Sequence, residues 1–181
     1  MRTEEVLKKQ KGQSLVETIV ALSVLMMGFM GLLALLTRSL AISNFVSENY
    51  IATYLAAEGI EVVRNLLDHN KMDPFVPWND GFSNGDFEVE FKPDWLDVSL
   101  VSPSDRKLKL DTRTGLYSYS GDVSTKFVRV VSIELIDPGH LKVSSVVRWD
   151  SSGGITGIPI HSEVNLEDRF FDPRLPSSFS G

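Results

Sequence analysis

The sequence lacks cysteine altogether, although it runs to 181 residues. A disulfide-stapled mini-protein, a zinc ribbon, a lipoprotein anchored through cysteine and a thiol enzyme all require that residue, so these classes are excluded. Positive charge is also scarce, because 18 Lys and Arg side chains face 24 Asp and Glu, for a net charge of −6. A protein that wraps nucleic acid needs a basic face. No nucleic-acid partner is therefore expected.

Charge of either sign is missing between Glu17 and Arg38, where nearly every residue is apolar. A helix rises about 1.5 Å per residue, so about 20 such residues span a hydrocarbon layer of about 30 Å. The segment before Glu17 is basic, with Arg2, Lys8, Lys9 and Lys11 outnumbering its acidic residues. Because basic flanks stay in the cytoplasm, the pattern predicts one membrane pass, with the N-terminus inside and the chain beyond Arg38 exported.

Three uses of this apolar segment are compatible with its length: a cleaved secretory signal, a permanent anchor, or a helix with a further role. Ser39-Leu40-Ala41 is an acceptable signal-cleavage site and would leave a chain that begins at Ile42. The apolar run is, however, longer than the usual signal core of about 7–15 residues. Glu17 adds a second question. A carboxylate at the membrane edge either has a function or is a helix-start acid that the helix dipole stabilises.

Residues 8–17 read KKQKGQSLVE and lead directly into the apolar helix. This segment resembles the cleavage and methylation motif of type IV prepilins and pseudopilins, in which a basic leader, a glycine and a glutamate at the fifth mature position precede the membrane helix. The resemblance implies that prepilin peptidase, a membrane-embedded aspartyl enzyme, cuts between Gly12 and Gln13 on the cytoplasmic side and methylates the new amine of Gln13. It also implies that Glu17 is an assembly carboxylate, opposite the terminal amine of a neighbouring subunit.

Two departures from that family pattern favour a minor pilin or pseudopilin over a major filament subunit. Gln13 stands where the family favours phenylalanine, and the apolar helix has no proline, only the helix-weakening Gly28 and Gly31. Residues 56–65, AAEGIEVVRN, also resemble the corresponding helix of minor pilins and allied pseudopilins. Two alternatives stay open: a tight-adherence-type minor pilin, which shares this style of N-terminus, and an exported enzyme or binding domain held by an ordinary membrane anchor.

The helical pattern continues beyond the membrane run, because no proline occurs between Arg38 and Pro74. A continuous helix is predicted from about Ser14 to about Asp68. In its second half the apolar residues share one wide arc, which predicts that this face packs on a sheet. The arc comprises Ile51, Ala52, Leu55, Ala56, Gly59, Ile60, Val62, Val63, Leu66 and Leu67.

Alternation with a period of two replaces the helical pattern in the C-terminal half of the chain. Strands are predicted over 87–91, 108–110, 116–119, 126–136, 141–149 and 155–166, separated by turn signals such as Asp137-Pro138-Gly139-His140. Short turns between consecutive strands predict an antiparallel meander, and the amphipathic helix is available to cover its apolar face. The expected fold class is therefore α+β and pilin-like, with a long N-terminal helix packed through its second half on an antiparallel β-sheet head.

No constellation of residues in the predicted head points to catalysis or to a metal. His69, His140 and His161 lack the spacing of metal ligands. Glu88 and Glu90 alternate with apolar residues and are expected on the solvated face of a strand. No catalytic residue, cofactor or metal is assigned, and the chain is not expected to be an enzyme.

Three other groups of residues in the head have ordinary structural explanations. A short basic cluster, comprising Arg106, Lys107 and Lys109, is expected at a solvated strand edge. The acidic loop residues Asp105, Asp111 and Asp122 match no standard calcium loop. The large aromatic residues are expected in the core; they are Trp78, Trp95, Trp149, Tyr117 and Tyr119.

Five segments follow from these patterns: a leader at 1–12, a transmembrane or filament-core helix at 13–38, an amphipathic helix at 39–70, an antiparallel β head domain at 71–171 and a loose tail at 172–181. With the resemblance, they predict a structural subunit of a type IV pilus or a type II secretion-like pseudopilus. The expected partners are prepilin peptidase, other pilin or pseudopilin subunits, the inner-membrane assembly platform and membrane lipid. The expected location is the cytoplasmic membrane and then an extracytoplasmic filament.

Overall fold

A computed structural model describes residues 2–90, 104–151 and 160–175, with side chains from Leu15 onward. The chain separates into two compact units, Met1–Phe45 and Val46–Gly181, which we call the N-terminal unit and the head unit. One helix, α1 (Arg2–Met72), contributes to both units, and the sheet belongs to the head unit. The predicted fold class is confirmed: a long apolar N-terminal helix precedes an antiparallel sheet in an α+β, pilin-like arrangement.

Helix α1 extends further at both ends than the predicted range of 14–68. No proline interrupts it before Pro74, and the residue before a proline avoids the helical conformation, so the helix ends at Met72. Basic side chains lie in its last turn, where they suit the negative end of the helix dipole. One of them, Lys71, also pairs with Asp68 at 2.9 Å.

Six antiparallel strands form one sheet in the described part of the head unit. They are β1 (Gly85–Phe87), β2 (Lys107–Leu110), β3 (Tyr117–Ser118), β4 (Val123–Asp137), β5 (His140–Ser151) and β6 (Ile160–Phe171). The strand order is β3-β2-β4-β5-β6, and β1 pairs with β4. The predicted meander is thus present in β4, β5 and β6, whereas β2 reaches β4 through a register shift between Lys107 and Lys109.

The observed strands differ from the predicted ranges mainly at their ends. β4 and β5 contain the predicted ranges 126–136 and 141–149, since the turn between them stands out in the sequence. β1 ends at Phe87, where the predicted strand began, and β6 continues past residue 166 to Phe171. Residue 91 and residues 155–159 of two predicted strands lie outside the described residues. Of the predicted loose tail, Asp172 is held to the β4–β5 turn by a bond from its N–H to Gly139 O at 2.9 Å.

The predicted apolar arc of α1 covers one face of the sheet. Its buried members pack in two clusters with side chains from β2, β4, β5 and β6. These members are Ala52, Leu55, Ala56, Ile60, Val62, Val63 and Leu67. Full burial of a large aliphatic side chain stabilises a fold by about 1.5–3 kcal/mol, so this helix–sheet contact contributes heavily to the stability of the head unit.

Gly59 marks the closest approach of α1 to the sheet. A Cβ added there would lie 2.5 Å from Ser145 Oγ and 3.1 Å from Val131 Cγ2. Glycine destabilises a helix by about 1 kcal/mol relative to alanine. At this position the absence of a side chain permits the close packing. Ser145 is fully buried, and its hydroxyl has no hydrogen-bond partner among the described atoms.

Arg129 is a buried cation in the otherwise apolar face of β4, and only 1% of its surface is exposed. Its Nη1 donates to Leu55 O at 3.0 Å and its Nη2 donates to Val89 O at 2.8 Å. The carboxylate of Glu58 lies 3.5 Å from Nη1. Sequence reasoning missed this residue, although a charged side chain in phase with the apolar alternation of β4 was the available signal. Arg129 joins α1, β4 and the segment after β1.

Glu48 ties the beginning of α1 in the head unit to the sheet. Its Oε1 pairs with Lys126 Nζ of β4. Its Oε2 accepts hydrogen bonds from Trp149 Nε1 at 3.1 Å and from Ser151 Oγ at 2.5 Å, both on β5. We call these four residues (Glu48, Lys126, Trp149 and Ser151) the Glu48 clamp. Together with Arg129, the clamp fixes the register of the helix on the sheet.

Candidate functional site

The N-terminal unit presents an apolar surface that the described residues of the chain leave exposed. From Leu15 to Ile42 the large apolar side chains of α1 are between 46% exposed, at Leu33, and 75% exposed, at Met27. Soluble monomers rarely expose contiguous apolar patches beyond a few hundred Å². By length and composition, the part of α1 from Leu15 onward could cross a membrane. This surface therefore requires cover from lipid or from other protein chains.

The few polar side chains of the apolar run are satisfied within the helix itself. Ser23 Oγ donates to Ile19 O at 2.8 Å, and Thr37 Oγ1 donates to Ala34 O at 3.0 Å. In hydrocarbon a polar group needs such an internal partner, because water is absent. These hydroxyls therefore impose little cost on burial in lipid or in a helix bundle.

Gly12, Gln13 and Glu17, the three predicted site residues, all lie in α1. For Gly12 and Gln13 only the helical backbone is described. Glu17 is exposed, and among the described side chains no basic nitrogen lies within 4.0 Å of its carboxylate. Within that part of the chain, Glu17 is a lone carboxylate on an apolar helix surface.

Comparison of the sequence with protein-family models matches residues 7–33 to the prokaryotic N-terminal methylation motif. These residues carry a type IV prepilin-type signal. The matched range includes Gly12, Gln13, Glu17 and the first part of the apolar helix, so the resemblance seen in the sequence is confirmed. Comparisons with curated proteins and with solved structures give no match.

The prepilin-type signal supports a type IV pilin-type precursor that prepilin peptidase processes. It also implies assembly with other pilin subunits. The apolar helix is consistent with anchoring in the inner membrane. The matched motif belongs to a structural, pilin-type family, which suggests a protein that is not an enzyme.

Glu88 is buried, so the prediction that it lies on a solvated strand face is wrong. Its Oε1 accepts hydrogen bonds from the N–H and the hydroxyl of Ser104, at 2.8 Å and 2.9 Å. Its Oε2 accepts a bond from Arg106 Nε at 2.7 Å. The physical reason is that β1 ends at Phe87, so strand alternation no longer sets the direction of Glu88, and Val89 is buried beside it.

These hydrogen bonds determine the ionisation of Glu88. Burial by itself raises the pKa of its carboxyl group, but the bonds from the Ser104 N–H, the Arg106 side chain and the Ser104 hydroxyl outweigh burial and hold the pKa below its ordinary value of 4.5. A carboxylate whose folded-state pKa is depressed contributes stability above the unfolded-state pKa. That contribution is lost as the pH falls through the folded-state pKa.

We expect Glu88→Gln to remove this acid-labile stabilisation. At pH 7 the variant should lose about 1.5–3 kcal/mol of the free energy of unfolding, as is typical of a hydrogen-bonded charged group. The difference in the free energy of unfolding between the variant and the wild type should shrink as the pH is lowered below 4.5. Urea unfolding of the full chain in detergent, at neutral pH and over an acid series, measures both effects.

Glu90→Gln is the matched control for that experiment. Glu90 is half-buried in the same segment and accepts a bond from the Tyr119 N–H at 3.1 Å. The Glu90→Gln chain should lose stability in acid as the wild type does, because Glu88 is still present. A Glu88→Gln chain that differs from the wild type by the same free energy at every pH would contradict the role given to Glu88.

Arg106 is exposed, as the sequence predicted, and it also pairs with the buried Glu88. Its guanidinium lies 4.6 Å from the centre of the Tyr119 ring. Lys107 and Lys109 are exposed on β2, as expected. The basic cluster is therefore exposed throughout, and one of its members neutralises a buried carboxylate.

The histidines do not converge. His140 stacks on Phe171 with ring centres 4.4 Å apart, and His161 Nδ1 lies 2.6 Å from Asp150 Oδ1. His69 lies in the last turn of α1. Among the residues that the structure describes, no group of three or more metal-ligating side chains is close enough to hold a metal ion.

The acidic loop residues bind the turns that carry them. Asp122 accepts bonds from the N–H and hydroxyl of Thr112 at 2.9 Å and 2.6 Å. Asp111 accepts a bond from the Arg113 N–H at 2.8 Å, and Asp105 is exposed. These carboxylates of Asp111 and Asp122 thus stabilise the connections on either side of β3.

The described members of the aromatic group that the sequence assigned to the core are buried or partly buried there. Trp78 is 2% exposed and Trp149 3% exposed. Tyr117 and Tyr119 are partly buried against the cluster that contains Trp149. Trp95 lies outside the described residues. The described side chains of this group therefore support the fold.

Proposed function

We propose that this chain is a minor structural subunit of a type IV pilus or of a type II secretion-like pseudopilus. The observation that carries the proposal is the prepilin-type signal at residues 7–33, joined to a helix whose large apolar side chains are exposed from Leu15 to Ile42. Such a surface suits both a membrane-inserted precursor and a helix bundle in a filament. The work of the protein is mechanical, without turnover of a substrate.

The precursor is cut between Gly12 and Gln13 by prepilin peptidase, and the new amine of Gln13 is methylated. Cleavage removes the leader at 1–12, whose basic residues outnumber its acidic ones. By the positive-inside rule those residues hold the N-terminus in the cytoplasm until processing. The mature chain keeps a helix with a single charge at Glu17 before Arg38.

Glu17 then sets the position of the subunit in the filament. An ammonium and a carboxylate within an apolar bundle each cost several kcal/mol unless they pair. Glu17 has no basic partner among the described side chains, which supports a partner on another subunit, the terminal amine of Gln13. The pairing makes assembly specific to one axial register.

Minor status is supported by two features of the sequence. Gln13 occupies the mature first position, where the resembled family favours phenylalanine, and the apolar helix has no proline. We assign residues 13–38 to the membrane or filament core, 39–70 to an amphipathic helix, 71–171 to the exported head domain and 172–181 to a C-terminal tail. The inner-membrane assembly platform, membrane lipid and other pilin or pseudopilin subunits are the remaining partners.

The mature N-terminus tests the proposal. Mass spectrometry of the chain purified from cells that contain its own assembly machinery should find a terminus at Gln13 that carries one extra methyl group. Unprocessed precursor from cells without prepilin peptidase serves as the control. A mature chain that begins at Ile42, or an intact N-terminus on a stable membrane protein, would refute the proposed function.

A further inference from the structure

The two edges of the sheet in the head unit differ in length. On one side the sheet ends in β1 and β3, which are three and two residues long. On the other side it ends in β6, which pairs with β5 along all 12 of its residues without a register shift. No described strand pairs with the outer side of β6. We call the outward N–H and C=O groups of Ile160–Phe171 the β6 edge.

The β6 edge lacks the features by which proteins usually protect an exposed edge. Those features are proline, lysine, a β-bulge, a very short strand or a charge that points inward. Residues 160–171 contain neither proline nor lysine. The inward carboxylate of Asp168 is neutralised by Arg64 of α1, at 2.9 Å. β1 and β3, in contrast, are protected by their shortness, so β6 is the described edge that is open to the addition of a strand.

The hydrophobic core is also incomplete along this edge. Val143, Ser145 and Val147, on the face of β5 that α1 covers, are completely buried. Their neighbours on β6, Val164 and Leu166, pack against the core but are only partly buried. Side chains on the same face of adjacent strands pack together. A further strand beside β6 would therefore complete the burial of these two side chains.

The side of α1 that lies beside β6 leaves room for such a strand. Arg64 reaches β6, where it pairs with Asp168 and lies over the ring of Phe170. Ala57 and Thr53 lie about two and about three helical turns earlier on the same side of α1, and both are small and exposed. Inward side chains of an added strand can therefore pack against the helix as well as against β6.

Charge on the uncovered face of the sheet indicates what kind of strand fits. Glu134 on β4, Lys142 on β5 and Glu167 on β6 form a row in which Lys142 Nζ lies 3.4 Å from each carboxylate. In a second row, Arg148 Nε of β5 lies 3.3 Å from Glu163 Oε2. Both rows end in an exposed carboxylate at the β6 edge. Because oppositely charged cross-strand pairs are favourable, a matching strand places basic residues opposite Glu163 and Glu167.

We infer that the β6 edge binds an extended segment of a different polypeptide, which adds to the sheet as an antiparallel strand. Main-chain hydrogen bonds to β6 supply the affinity, and the alternating side chains supply the specificity. The segment carries two basic residues four positions apart, to match Glu163 and Glu167, and apolar residues between them that face Val164 and Leu166. The inference uses only residues of the head unit and does not depend on the proposed function.

A second copy of this chain matches the β6 edge less well. The basic residues of β6, His161 and Arg169, are eight positions apart, so a second β6 cannot face both carboxylates with a base. Both are also engaged in their own chain, His161 with Asp150 at 2.6 Å and Arg169 with Glu167 at 3.8 Å. β1 and β3 contain no basic residue and are too short to pair with the whole of β6.

Binding of a labelled peptide to the full-length chain in detergent tests the inference. The fluorescent probe has the central sequence Lys-Val-Thr-Val-Lys, whose lysines would face Glu167 and Glu163 and whose valines would face Leu166 and Val164. Fluorescence anisotropy should show saturable binding. Replacing both Glu163 and Glu167 by Gln should raise the dissociation constant about fivefold, because two exposed ion pairs are lost. The matched control is Glu134→Gln, which removes a carboxylate from the same face away from the edge and should leave the dissociation constant unchanged.

Methylation of the peptide backbone distinguishes strand addition from simple attraction of charge. In an antiparallel pair only alternate residues direct their N–H groups toward the partner strand. N-methylation is therefore applied either to the two valines or to the threonine and the two lysines. One of these sets should weaken binding at least about tenfold, and the other should have a much smaller effect.

Several results would overturn the inference. They are an absence of saturable binding, equal effects of methylation on the two sets, or a dissociation constant that the Glu163 and Glu167 double variant does not change. Sedimentation of the chain without peptide provides a further result. A dimer that the double variant dissociates would assign the β6 edge to a second copy of this chain. The changed side chains are exposed, so the midpoint of urea unfolding should stay at the wild-type value in every variant.

Discussion

A chain in which Glu17 is replaced by alanine is expected to be inserted and cleaved normally, yet to enter filaments at about one tenth of the wild-type level or less. In the function proposed above, cleavage creates an ammonium at Gln13 that has to enter an apolar bundle. An unpaired charge there costs several kcal/mol, and each 1.4 kcal/mol lowers an assembly equilibrium about tenfold. Glu17 is exposed on an apolar surface, so its carboxylate can reach another subunit.

The measurement is the ratio of chain in sheared filaments to chain in the membrane, determined by quantitative mass spectrometry. The N-terminal peptide from the same samples reports cleavage. Ser23→Ala is the matched control, because Ser23 lies in the same run and its hydroxyl bonds only Ile19 O of its own helix. Glu17→Asp keeps the charge on a shorter side chain. Its ratio of chain in filaments to chain in the membrane should fall between those of Glu17→Ala and Ser23→Ala. Wild-type incorporation of Glu17→Ala would disprove the pairing.

Replacement of Arg129 by alanine is expected to lower the free energy of unfolding of the head unit by about 3–5 kcal/mol. Most domains have only about 5–15 kcal/mol of net stability. The variant loses two hydrogen bonds from a charged group, to Leu55 O and Val89 O. It also leaves a cavity where the guanidinium was, between α1 and β4. Folding should therefore become marginal at 37 °C.

Two further variants serve as comparisons for Arg129→Ala. Arg129→Met fills most of the volume without the hydrogen bonds, so it should destabilise by less than Arg129→Ala. Ser145→Ala removes a buried hydroxyl that has no partner among the described atoms and should change the stability by at most about 0.5 kcal/mol. Urea unfolding of the full chain in detergent, followed by near-UV circular dichroism, ranks the three variants. Equal stability of Arg129→Ala and the wild type would contradict the bridging role.

The helix and its buried face could be predicted because both depend on near neighbours in the sequence. The spacing of residues such as Ala52, Leu55 and Ala56 is itself the packing surface, and the next proline sets the end of the helix. The meander of β4, β5 and β6 follows from local turn signals for the same reason.

The buried ions could not be predicted, because their partners are distant in the sequence. Arg129 bonds a helix carbonyl 74 residues earlier. Glu88 accepts hydrogen bonds from Ser104 and pairs with Arg106, which follow it by 16 and 18 residues. Alternation along a strand assigns such residues to a face but says nothing of a charged partner that arrives from elsewhere in the fold.

The processing site, in contrast, is a linear pattern, so its recognition needed no fold. The match at residues 7–33 covers the segment that the sequence pattern had already singled out.

The Glu48 clamp has a mechanical consequence for a filament subunit. Tension that arrives along α1 enters the head unit at Val46, and the clamp is the first tie that it meets. Through Lys126 and Ser151 the load passes to β4 and β5, the two central strands. Arg129, which donates to Leu55 O further along α1, adds a second contact between the helix and the sheet. We therefore expect a pull on the helix within the head unit to be shared by several contacts with the sheet.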